Sequence, residues 1–168
     1  VELVDKIDLG RLEIQIFSSE SEVLYLIKGD VDEHFTFKKI PKLAKPVTRF
    51  KLGGIKTLNS CGVREWVFFM REFSDIPRLE LEECSVALVD QFNVVPQTLG
   101  RAIVKSFYAP YYCPHCDEEV NYLIRTDEFR DVLLAKKAPE VKHSCGTEMD
   151  FDALEDCYFH HVGLLLKG

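Results

Sequence analysis

Long apolar runs are missing from this chain. No stretch approaches the about 18 consecutive apolar residues that a spanning helix requires, so no membrane span is expected. A charged segment followed by an apolar one is also missing at the start, which leads to the expectation of a cytoplasmic protein. The first residue is Val rather than Met, compatible with a piece of a longer protein. There is no internal repeat, no low-complexity tract and no excess of positive charge. The net charge is −7, and it is unevenly spread: residues 1–110 hold 15 Lys/Arg against 16 Asp/Glu, residues 111–168 hold 6 against 12. So acidic a second part repels phosphate backbones, and nucleic acid is not an expected partner.

What the chain does contain is material for a core. Apolar residues make up 46% and charged ones 29%, a balance that folds without help from disulfides. The six cysteines (61, 84, 113, 116, 145 and 157) therefore need not be staples. Cys113 and Cys116 form a Cys-x-x-Cys pair, which points to metal or redox chemistry and to a reducing compartment.

Hydropathy patterning predicts an α/β fold. Arg11–Phe17 alternates strictly as a half-buried strand does, and Val23–Ile27 is nearly continuous, as in a central strand. Gly29 stops that strand, and Asp32 is a suitable cap for a helix of two or three turns lined by Phe35, Phe37 and Ile40. Pro41 and Pro46 bracket a connector. Val47–Leu52 alternates again, and Gly53-Gly54 is read as a break. Beyond it, Val63, Trp66, Val67, Met70 and Phe73 fall at helical spacing. Arg78–Cys84 reads as a strand, Val86–Phe92 as a core helix capped by Ser85, and Ala102–Ala109 as a last strand. Strands separated by helices suggest a mostly parallel or mixed sheet flanked by helices.

Ligand and partner sites in such sheets lie where strand ends meet helix starts. Two stretches qualify: Gly29–Glu33, and the polar turn Asn59-Ser60-Cys61-Gly62. Asn and Ser both suit a helix N-cap, and a phosphate on Ser60 would lie where backbone donors point. The plain alternative is a capping serine that is never modified. Asp30 and Asp32 likewise read either as a polar pair for metal or acid–base work or as a cap and turn.

These residues resemble the STAS family, the fold of bacterial anti-sigma-factor antagonists. Its members pair a strand ending in Gly-x-hydrophobic-Asp with a later Asp-Ser-Ser/Thr-Gly at a helix start. Gly29-Asp30-Val31-Asp32 matches the first motif and Asn59-Ser60-Cys61-Gly62 most of the second, within a similarity covering about residues 11–100. The resemblance implies that Ser60 is the serine phosphorylated by a kinase that doubles as the anti-sigma factor, and that phosphorylation breaks the complex. Asn59 stands where the family has an acid, and Cys61 where it has Ser or Thr. Other STAS modules bind partners without phosphorylation.

Tyr112-Cys113-Pro114-His115-Cys116 is similar to a zinc-ribbon knuckle. Lys142-His143-Ser144-Cys145-Gly146 occupies the place of the second knuckle, with Lys142 where its first cysteine would stand. Cys113, Cys116, His143 and Cys145 would then hold a structural Zn²⁺. Cys157, His160 and His161 compete with His143 for the fourth position. A thioredoxin-type redox pair and a degenerate, metal-free site are the remaining alternatives.

The chain is thus expected to hold a STAS-like domain (1–110) and a small C-terminal zinc-ribbon-like β domain (111–168), with the leucines 164–166 docking back on the latter. The expected role is a regulatory protein-interaction module without a reaction of its own. The partner class is an anti-sigma factor or serine kinase. An enzyme would need a nucleophile and a base, and Cys61 with His34 is the nearest approach to one.

Overall fold

The computed structural model describes residues 1–166, leaving out the side chains of Leu164 and Leu165. Three antiparallel strands open the chain: β1 (Glu2–Asp8), β2 (Leu12–Ser18) and β3 (Glu22–Val31). From there the sheet turns parallel. β4 (Val47–Leu58) pairs with β3, β5 (Arg78–Glu82) with β4, and the two-residue β6 (Ile103–Val104) with β5. The helices α1 (Ser60–Glu72) and α2 (Val86–Val94) cross from β4 to β5 and from β5 to β6, and residues 32–46 cross from β3 to β4 without an α-helix. The six strands lie in sequence order. Parallel neighbours need such crossovers, whereas β1–β3 are joined by tight turns.

Alternation places one face of this sheet in the core. Leu12, Ile14, Ile16, Val23, Tyr25, Ile27, Phe50, Leu52, Leu79 and Leu81 are all buried. Onto them α1 lays Trp66, Phe69 and Met70, and its C-cap residue Phe73 follows. Phe50 meets Phe69 and Phe73 edge-on, with ring centroids 5.4 and 5.0 Å apart. On the other face Arg49 bridges Glu22 at 2.9 Å and Glu82 at 3.2 Å, so three neighbouring strands share one ionic ladder.

Several local expectations are corrected. Gly53-Gly54 does not break the chain: β4 runs through it as a single strand. Its register against β3 shifts there instead, and the strands lie so close that a side chain at Gly54 would come 2.5 Å from Cγ of Lys28. The helix expected around Phe35–Ile40 is a single 3-10 turn, Phe37–Lys39. Asp32 accepts from the backbone N–H of His34 at 2.9 Å, which closes a turn rather than starting a helix. The buried stripe of α1 includes Phe69, while Val63 and Val67 are only half-buried.

The second, three-stranded sheet has the order β8-β7-β9, formed by β7 (Ser106–Cys113), β8 (Glu118–Arg125) and β9 (Asp150–Phe151). Short helices α3 (Arg130–Leu134), α4 (Glu155–Tyr158) and α5 (His160–Leu165) accompany it. Position 110 falls inside β7. The backbone of Cys84, just past β5, bonds to Ser106 and Tyr108, and Asn93 of α2 donates to the Tyr158 carbonyl at 3.0 Å. One cluster of buried residues runs from Leu12 to Val162, with Leu166 packed against it; the side chains of Leu164 and Leu165 lie outside the described residues. Among the described residues no helix is long and apolar enough to cross a membrane.

Candidate functional site

Two places gather the polar residues singled out above. The first is the turn between β4 and α1. Asn59 is the N-cap, and its Oδ1 accepts from the Gly62 N–H at 2.8 Å. The Asn59 N–H is itself taken by the Val31 carbonyl at 3.2 Å. An α-helix starts with four N–H groups that have no partner within it. Here the caps satisfy two of them, leaving those of Ser60 and Cys61 at the positive end of the macrodipole. Ser60 and Cys61 are exposed.

The end of β3 faces this turn. Asp30 accepts from the Thr57 hydroxyl at 2.7 Å and pairs with Arg11 at 2.8 Å. The Thr57 donor first, and then the Arg11 cation, hold its carboxyl below the usual carboxylate range. Glu33 accepts from the Asn59 amide at 2.7 Å. Its carboxyl is also held low, by its own backbone N–H and then by Asn59. Asp32 is buried, with Oδ1 toward His34 and Oδ2 3.5 Å from Arg11. Asp30, Asp32, Asn59, Ser60, Cys61 and Gly62 thus belong to one corner of the sheet. His34 faces Asp32 at 3.2 Å, and no hydrogen bond joins it to Cys61.

The second place is built from two turns. One follows β7: Cys113 is its last residue, and Asp117, at a φ of +55°, swings the chain into β8. The other is a tight loop in which the His143 N–H bonds to the Thr147 carbonyl at 2.9 Å and Gly146 takes a φ of +89°. Together they bring donor atoms of Cys113, Cys116, His143 and Cys145 within 4.8 Å of one another. The Cys113 and Cys145 sulfurs are 3.7 Å apart, and the Cys116 sulfur is 3.5 Å from Nδ1 of His143. A tetrahedral ion with bonds of about 2.3 Å to sulfur and 2.0 Å to nitrogen has edges of about 3.8 and 3.5 Å. The cluster therefore fits a metal ion of that geometry. Cys113 is buried, Cys116 and His143 are half-buried and Cys145 is exposed.

Two of the thiols are shifted from the usual cysteine range. Hydrogen bonds from Thr147 hold the Cys145 thiol below its usual range. The hydrogen bond to Cys145 and burial raise that of Cys116. The three competing residues lie elsewhere: Cys157 is exposed, His160 is 2.9 Å from the Lys136 ammonium and His161 packs against Asn93. None of them belongs to the four-residue cluster.

Glu118 is the residue that sequence reasoning missed. Its carboxylate lies 3.2 Å from Nε2 of His143, and as one of many acids in this segment it carries no distinguishing pattern. Comparison of the chain with protein-family models, curated proteins and solved structures yields no match.

Proposed function

We propose that this protein is a regulatory protein-interaction module of the STAS type, docking through the corner around Ser60 and steadied by a structural zinc ion. One observation carries the first half: an exposed serine begins α1 beside two backbone N–H groups without intrahelical partners, against the acid-rich end of β3. A phosphoryl group on Ser60 would meet those donors and the positive helix end. It would also add about two negative charges to a surface already bearing Asp30 and Glu33, repelling any acidic groups that a docked partner sets against this corner. The partner class is an anti-sigma factor or serine kinase, in a reducing, cytoplasmic setting where thiolates stay reduced. No reaction of the chain's own is required.

The zinc assignment rests on donor chemistry. Three thiolates and one imidazole with tetrahedral edges suit Zn²⁺ best among common ions. Such a shell has no open position for a substrate, so the ion would clamp the two turns together and hold β7 to the 142–148 loop.

Trypsin releases Ser60 within the peptide Thr57–Arg64, which makes the modification directly readable. Mass spectrometry of the protein isolated from its own cells is expected to find phosphate on Ser60. If that peptide is never phosphorylated under any growth condition, the module binds without a switch, and Asn59 serves only as a cap.

A further inference from the structure

We infer that Glu118 is a positioning residue for the metal centre, holding His143 so that Nδ1 rather than Nε2 is the fourth donor. This inference rests on the reading of Cys113, Cys116, His143 and Cys145 as a metal site. Strand pairing delivers the two parts together. Cys113 and Glu118 are direct partners across the β7–β8 ladder, so the hairpin that presents the first thiolate presents the carboxylate beside it.

His143 is held between two kinds of neighbour. On its Nδ1 side are the Cys116 sulfur at 3.5 Å and the Cys145 backbone N–H, also at 3.5 Å. A proton on Nδ1 would point at an N–H donor, so the free lone pair belongs there. On the Nε2 side the Glu118 carboxylate, at 3.2 Å, favours the N–H. Both neighbours select one tautomer, with Nδ1 open to the ion and Nε2 protonated. The imidazole is only 13% exposed, whereas the Glu118 side chain is 60% exposed. The ring is thus fixed by its packing, and the carboxylate sets its electronic state from the rim. A carboxylate on the far nitrogen raises ligand basicity and restricts ring orientation. Loss of such a partner typically lowers metal affinity about 10- to 100-fold, and solvent screening of Glu118 places the effect near the lower end.

The test uses the full chain, stripped by a chelator and titrated with Co²⁺ and then with Zn²⁺ in competition. Thiolate-to-cobalt charge transfer reads the site. The wild type and Glu118→Ala are expected to bind one equivalent each, the variant about tenfold more weakly. In a His143→Cys background, Glu118→Ala should cause no loss, because no imidazole remains to be positioned. Nitrogen-15 spectra of the zinc-loaded wild type should show Nδ1 bound and Nε2 protonated. Equal affinities of the wild type and Glu118→Ala would overturn the inference. So would an equal loss in the His143→Cys background, or Nε2 as the bound nitrogen. A wild type that binds no cobalt at all would instead remove the metal site itself, and the inference with it.

Discussion

Gly62 lies against the carbonyl of Val31 so closely that a methyl group on it would sit 1.9 Å from the oxygen and 2.8 Å from the Asp32 nitrogen. The start of α1 and the end of β3 therefore meet backbone to backbone. Gly62→Ala forces the helix away from the strand and should destabilise the fold by about 3 kcal/mol, at the upper end of the usual overpacking range. Urea unfolding measures it. A loss below about 0.5 kcal/mol, the scale of an ordinary surface change, would mean that the contact yields freely.

Asn59 donates to Glu33 while capping α1 through its other side-chain atom. Asn59→Ala should cost about 1 kcal/mol through loss of the cap. Asn59→Asp keeps the cap but turns a donor into a second carboxylate facing Glu33. The variant should be less stable than wild type at neutral pH, and the gap should narrow as pH falls below about 4, where carboxyls begin to be protonated. The Glu33 carboxyl should titrate higher in the variant, which carbon-13 NMR follows. This also gives a physical reason for an amide, rather than an acid, at position 59.

Asp30 yields a pH prediction. Its folded carboxyl is held below the usual range, first by the Thr57 hydroxyl. A folded pKa lower than the unfolded one stabilises above the unfolded value, and that contribution disappears as pH falls through the folded pKa. The wild type should therefore be more stable than Thr57→Val at neutral pH. Its advantage should shrink as pH drops below about 4, the usual Asp value, and denaturant midpoints at several pH values would record it. An advantage independent of pH would place the Thr57 effect elsewhere.

Trp66 is fully buried, and its indole N–H donates to the Thr98 carbonyl at 3.0 Å, joining α1 to the turn after α2. Trp66→Phe strands that carbonyl and should cost about 2 kcal/mol. As the chain's single tryptophan, it should fluoresce at short wavelength when folded and shift to the red on unfolding.

Much of this architecture is legible in the residues themselves. Leu12, Ile14 and Ile16 alternate with polar neighbours because one face of β2 is buried, and Asn59 announces the start of α1 by its capping chemistry. Other features leave little local trace. β1 is exposed along almost its whole length, so no alternation marks it. Phe37 and Ile40 stand three apart, a spacing that a helix would also give, yet the chain makes only a 3-10 turn there. The four cluster residues stand out by spacing, but which histidine completes them depends on a loop 26 residues on from Cys116. Glu118 acquires its place only through the β7–β8 register. The ladder through Arg49 likewise exists only once β3, β4 and β5 lie side by side.

In the proposed module Ser60 is the point where association is controlled. The direct measurement is quantitative capture from the source cells with tagged wild type, Ser60→Ala and Ser60→Glu, each first shown to be folded. The expected result is one partner held by the wild type and Ser60→Ala and lost from Ser60→Glu. Recovery of that partner in equal amounts by all three proteins would contradict it.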